Sequence, residues 1–143
     1  TGNSCRSVMA EYLLKKMLGS KGDVEILSAG TGVYLRSSAS AETLETLKKE
    51  GMDASGHEAR SVTDLLLKKA DFILVMTRQH RYQVLEIAPE IEKRVYLLKE
   101  FAHIPKGSEA DLDIPDPIGK SSDVYEECLS VIKEAVQRIV KII

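Results

Sequence analysis

The chain has no tryptophan, only two phenylalanines and two cysteines, and four prolines in 143 residues. Two cysteines, Cys5 and Cys128, are too few for a disulfide framework and too few for a zinc site built of cysteines. That usage fits a reducing compartment, so a cytoplasmic location is expected. No apolar stretch approaches the ~20 residues that a membrane-spanning helix needs, so no membrane role is expected. Neither sign of charge dominates: 20 Lys plus Arg face 22 Asp plus Glu, a formal net charge of -2. With a pI of about 5.9, the balance lacks the basic footprint of a nucleic-acid binder and the polybasic signal of a membrane-surface protein. Repeats and low-complexity segments are absent too. What is present is an ordinary globular balance, 43% hydrophobic and 29% charged, sized for a single domain over residues 1–143 with a core of its own.

Helical and strand-like patterns alternate along the chain. Ser7 to Leu18 carries apolar residues at Val8, Met9, Tyr12, Leu13 and Met17, a helical spacing with Ser7 as N-cap, and Gly19, Ser20 and Gly22 stop it. Val24–Leu27 reads as a short strand running into Ser28-Ala29-Gly30, and a Gly- and Ser-rich loop reaches Ser40. Ser40 caps a helix from Ala41 to about Glu50, ended by Gly51, and Thr63 and Asp64 open a short one over Leu65–Lys69. Asp71–Met76 is nearly all apolar, the pattern of a strand buried on both faces. Arg78–Ala88 reads as a helix broken by Pro89, and Arg94–Leu98 as a further strand. A long polar loop from His103 to Ile118 holds three of the four prolines. The last helix, Asp123–Ile143, shows one apolar stripe through Val124, Cys128, Val131, Ile132, Ala135, Val136 and Ile139. Such alternation predicts an α/β fold, an open doubly wound parallel sheet with helices on both faces. The opening loop feeds straight into a helix, so a four-stranded sheet is expected whose central first strand lies before Thr1. Unpaired neighbours inside a core would cost more than a domain's net stability, so the missing strand is expected to be part of the molecule.

The opening loop carries the chemistry. Thr1-Gly2-Asn3-Ser4-Cys5-Arg6 places Gly and Asn, both tolerant of positive φ, just before a helix N-terminus. Successive N–H groups in such a turn converge on an anion, and the planar fork of Arg6 holds two phosphate oxygens at once. Phosphate or sulfate is the natural guest, although a Gly-Asn loop alone reads more readily as a plain turn.

Together with Met9-Ala10-Glu11, the segment Thr1–Ser7 resembles the phosphate-binding loop of the low-molecular-weight protein tyrosine phosphatases. In that family a nucleophilic cysteine is followed by five residues and an arginine. Thr1 to Cys5 are those five, so the resemblance puts the nucleophile immediately before Thr1. Cys5 does not substitute for it, because the residue six positions on is Glu11, not arginine. Its position matches the family's second cysteine, which forms a reversible disulfide with the nucleophile. Ser28-Ala29-Gly30 and Gly56-His57-Glu58-Ala59-Arg60 also match the family pattern, implying that Ser28 and His57 hold Asn3 and that Ser7 hydrogen-bonds the thiolate. Asp116-Pro117 matches its Asp-Pro pair, where the aspartate is general acid, and Asp113 is read as a solvated loop residue. The catalytic residues implied are thus Arg6 and Asp116, with Thr1, Gly2, Asn3, Ser4, Cys5 and Arg6 binding phosphate and Ser7, Ser28 and His57 in support. The chemistry implied needs no metal or other cofactor. The partner is a phosphorylated protein, and a monomer is expected.

Met76-Thr77-Arg78-Gln79-His80, Leu98-Lys99-Glu100-Phe101 and Asp116-Pro117-Ile118-Gly119 resemble the bacterial branch that includes protein-arginine phosphatases. Ser4 stands where arginine-specific members carry Thr and tyrosine-specific ones a bulkier aliphatic residue. A hydroxyl there accepts a hydrogen bond that a guanidinium offers and a phenol does not. Ile118, where arginine-specific members have Phe, argues the other way, and Tyr34 is left to wall the pocket. Phosphoarginine therefore stands slightly ahead of phosphotyrosine. Arg78 to Arg81 read as a solvated helix start, with a rim of the site as the other reading, and Tyr82, Tyr96 and Tyr125 as packing residues. Two other readings stay open: a catalytically dead phosphate-binding module, and a thioredoxin-coupled arsenate reductase, which needs cysteines this chain lacks near Thr77.

Overall fold

A computed structural model describes residues 1–19, 23–33, 37–103 and 112–143. In chain order the elements are α1 (Arg6–Leu18), α2 (Ala41–Lys49), α3 (Asp64–Lys69), β1 (Ile73–Val75), α4 (Arg78–Ile87), a 3-10 helix (Pro89–Arg94), β2 (Val95–Leu97), α5 (Leu98–Phe101) and α6 (Ser122–Ile142).

β1 and β2 pair in parallel, Ile73 opposite Val95 and Val75 opposite Leu97, with α4 as the crossover between them. Alternate residues of β1 serve two cores, as the period of a pleated strand requires. Leu74 packs against a core that holds Val8, Met9 and Leu13 of α1, Leu47 of α2 and Ile132, Val136 and Ile139 of α6. Ile73 and Val75 belong to a second core with Leu67 of α3, Val84 of α4, Ile91 of the 3-10 helix and Leu97. Helices thus cover both faces of a parallel sheet, the doubly wound α/β arrangement.

Local chemistry explains most helix ends. The Ser40 side chain accepts from the Thr43 amide, Thr63 from Leu66 and Thr77 from His80, so α2, α3 and α4 each begin on a hydroxyl that satisfies an orphan N–H. Gly19, at φ +56°, ends α1. Ser20 and Gly22, also read as stop signals, lie outside the described residues.

Several sequence expectations need correction. Ser7 does not cap α1: Cys5 holds the cap position, Ser7 lies inside the first turn, and its hydroxyl accepts from the Asn3 side chain. Val24–Leu27 forms no ladder; Val24 and Leu27 are exposed, and the parallel bridge Gly30–Ser61 is the nearest thing to pairing there. An apolar run becomes a strand only beside a partner for its amides, and none among the described residues flanks it. The Asp71–Met76 run yields a three-residue strand rather than one buried on both faces, with Phe72 58% exposed beside the Phe101 ring. Pro89 does more than break α4, since its fixed φ suits the first turn of the 3-10 helix that follows. Leu98 leaves β2 to begin α5. In α6 the buried stripe runs through Tyr125 and Leu129, while Val124 is exposed. Tyr82 is exposed instead of packed, whereas Tyr96 lies half-buried against Phe101.

Candidate active site

The segment Thr1–Cys5 lies on the N-terminus of α1 and is shaped mostly from outside. Asn3 sits at φ +55°, a left-handed conformation that Asn tolerates better than most residues, and its side chain is fully engaged. Its amide nitrogen donates to Ser7 Oγ at 2.8 Å and Ser28 Oγ at 2.9 Å, and its Oδ1 accepts from the Arg60 amide at 3.1 Å. The Asn3 carbonyl lies 2.8 Å from His57 Nε2. Ser28 and His57 therefore meet Asn3 as the resemblance implies. Ser28 in turn donates to Glu11, whose other oxygen takes the Lys15 ammonium at 2.7 Å. Burial would raise the Glu11 pKa, but these hydrogen bonds outweigh it and hold the carboxyl below its ordinary value. Glu11 belongs to the support structure, a role its place in a helical motif did not disclose.

Gly30 passes directly behind the loop. A Cβ there would stand 2.1 Å from the Thr1 carbonyl oxygen and 2.9 Å from the Asn3 amide, so no other residue fits without moving the loop. The Gly32 amide donates to the Thr1 carbonyl at 3.0 Å and the Ser40 amide to the Ser4 carbonyl at 3.1 Å. Three separate chain segments thus fix the loop backbone.

Arg6 opens α1 as a buried guanidinium. Its Nη1 donates to the Ile114 carbonyl at 2.7 Å and its Nη2 lies 3.6 Å from Asp116 Oδ2. The Asp116 side chain is 42% exposed, and its Oδ1 accepts from the Ile118 amide at 3.1 Å. A cation at the end of an amide-lined turn and a solvent-reachable carboxyl beside it compose a site for an oxyanion and a proton transfer. Asp113 is solvent-reachable, as its loop setting suggests, but it is also engaged: its carboxylate takes the Arg78 amide at 2.9 Å and the Arg78 guanidinium at 3.3 Å. Burial opposes ionisation of Asp113, yet the Arg78 hydrogen bonds prevail and its pKa falls.

His80, read mainly as part of a solvated helix start, instead takes the other reading, at the rim of the loop. It is buried rather than on a solvated helix start, and its Nε2 lies 2.8 Å from Thr1 Oγ1. Burial, the largest cause, lowers its pKa, so it is a neutral imidazole near pH 7. Helical spacing from the buried Val84, four residues on, was the signal available for turning it inward. On the far side of the loop, Cys5 is buried with its Sγ 3.4 Å from Ser40 Oγ, 3.6 Å from the Tyr125 hydroxyl and 3.7 Å from Ser4 Oγ. Burial pushes the Cys128 thiol up to about 11, which leaves it a protonated, inert side chain. Both cysteines are free. Tyr34, read as a pocket wall, lies outside the described residues, as does Pro105 of the long loop. Among the described residues no group of three or more His, Cys, Asp or Glu side chains is placed to hold a metal, and no helix is long and apolar enough to cross a membrane.

Comparison with known proteins bears on this geometry as a whole. The family model described as "Low molecular weight phosphotyrosine protein phosphatase" matches residues 1–143. The chain is 32% identical over 141 residues to the low molecular weight protein-tyrosine-phosphatase Etp of Escherichia coli K12, covering 99% of this chain and 88% of that protein. It is also 32% identical over 142 residues to the protein-arginine-phosphatase of Bacillus subtilis, covering 99% and 91%. The crystal structure of the low molecular weight protein tyrosine phosphatase from T. tengcongensis superposes with a TM-score of 0.87 at 35% identity, covering 100% of this chain and 95% of that one. By sequence, by fold and by the loop at the head of α1, the chain belongs to the low molecular weight phosphotyrosine protein phosphatase family.

Proposed function

We propose that the protein is a cysteine-dependent protein phosphatase in which the Thr1–Arg6 loop binds the phosphoryl group and Asp116 transfers the proton. The observation that carries this reading is the pairing of buried Arg6 with exposed Asp116 across the mouth of a loop locked by Asn3. By resemblance the thiolate belongs to the position before Thr1. There a helix N-terminus and Arg6 stabilise the anionic sulfur. The thiolate attacks phosphorus as the bond to the leaving atom breaks, and Asp116 gives that atom its proton. The loop amides and Arg6 hold the equatorial oxygens throughout. Water then attacks the phosphocysteine, Asp116 takes its proton, and inorganic phosphate and the thiolate are released.

Phosphoarginine is the preferred substrate in this reading, ahead of phosphotyrosine, with a phosphorylated protein as partner. Ser4 supports it: its half-buried hydroxyl lies in the loop itself, within 3.7 Å of Cys5 Sγ. It accepts a guanidinium N–H that a phenolic ester lacks. The test is the ratio of phosphate release from phosphoarginine and phosphotyrosine by the full-length protein, before and after Ser4→Ile. The ratio is expected to swing toward phosphotyrosine by about tenfold, the size of one hydrogen bond to a charged group. An unchanged ratio sinks the role of Ser4, and no release from either substrate sinks the phosphatase reading.

A further inference from the structure

The first turn of α4 touches both halves of the site. On one side, His80 meets Thr1 of the anion loop at 2.8 Å. On the other, the Arg78 amide donates to Asp113 Oδ1 at 2.9 Å, and the Arg78 guanidinium lies along the same carboxylate with its Nη2 3.3 Å from Oδ2. Asp113 is three residues before Asp116. The intervening Ile114 is buried, its amide donating to the Met76 carbonyl at 2.9 Å just ahead of α4 and its carbonyl accepting from Arg6 at 2.7 Å. Pro115 then restricts the backbone before Asp116. The chain from Asp113 to Asp116 is thus pinned at its first residue by the head of α4, at its second by Met76 and Arg6, and at its fourth by the weak Arg6 contact.

We propose that Asp113 is a positioning residue for proton transfer, locking the loop that carries Asp116 onto the first turn of α4 and thereby setting the span between the acid and the anion loop. The inference rests on the assignment of Asp116 as general acid in the preceding subsection. Asp113 itself does not face the phosphoryl group; it acts through the placement of Asp116. The titratable groups that act on it are Arg78 and, two residues on in the same turn of α4, His80. Asp113 also completes the N-terminus of α4, where the Thr77 hydroxyl already takes the His80 amide.

A misplaced general acid leaves a specific signature. A leaving group that is already a good anion needs no proton, whereas a poor one does. The experiment compares kcat/KM of the full-length protein and its Asp113→Ala variant on phenyl phosphate and on 2,4-dinitrophenyl phosphate. The expected result is a loss of about tenfold or more on phenyl phosphate, within the range a general acid contributes, and a change under about twofold on the dinitrophenyl ester. Asp113→Asn, which keeps an oxygen for the Arg78 amide, is expected to recover most of the lost rate. Inhibition by inorganic phosphate reports the anion loop and is expected to stay the same in both variants. Equal losses on the two esters, or no loss on either, overturns the inference while leaving the phosphatase reading intact. If the unmodified protein turns over neither ester, that reading falls and the inference with it.

Discussion

In the unfolded chain His80 titrates near its ordinary 6.5, and burial lowers that value in the folded protein. Between those values the unfolded state binds a proton that the folded state refuses. The stability tied to His80 is therefore fully present above pH 6.5 and declines as pH falls below it. Urea titrations at pH 7 and pH 4.5 are expected to show that decline, and His80→Gln to flatten it. Identical pH dependence in the two proteins would refute a buried neutral imidazole. The same residue shows where reading at residue scale stops. The Asn3 contacts to Ser28 and His57 were legible only through the family resemblance of the segments that carry them. His80, Asp113 and Glu11 were not, because each acts on a segment far away in sequence, and a polar residue near a helix start looks alike whether it faces water or a partner 79 residues distant.

Helices were far more legible than strands. A helix satisfies its own backbone, so capping residues and apolar spacing suffice to locate it, and Ser40, Thr63 and the α6 stripe did so. A strand is completed by its neighbour, which the local pattern does not name; Val24–Leu27 and the outer parts of Asp71–Met76 show the consequence. The short α5 and the 3-10 helix after Pro89 follow from turn geometry at strand ends rather than from periodicity. At this scale the cap of α2 offers a measurable check. Replacing Ser40 by Ala removes the acceptor for the Thr43 amide and is expected to lower stability by about 1 kcal/mol in chemical denaturation. Stability within a few tenths of the parent's would show that another group takes over the cap.

At the scale of the whole molecule the proposed anion site has a thermodynamic consequence. A ligand that binds only the folded state stabilises it by mass action, about 2.7 kcal/mol at a hundred times its Kd, which for a chain this long corresponds to a rise in Tm of roughly 5–10 °C. Inorganic phosphate is expected to produce that rise in the parent protein and none in Arg6→Met, whatever the variant's own starting Tm; an equal rise in both would place the anion elsewhere. The fold class was legible at this scale because helix and strand signals alternate, and the doubly wound arrangement follows from that alternation. The hydrogen bonds that hold the anion loop and its arginine have a further consequence, in time rather than in space. They join Asn3 to Ser28 across 25 residues, to His57 across 54 and to Arg60 across 57, and Arg6 to Ile114 across 108. Contacts of such separation form only after the intervening chain has closed. On a ribosome the loop is made before the segments that shape it, so the binding proposed for it would report that those later segments have already folded.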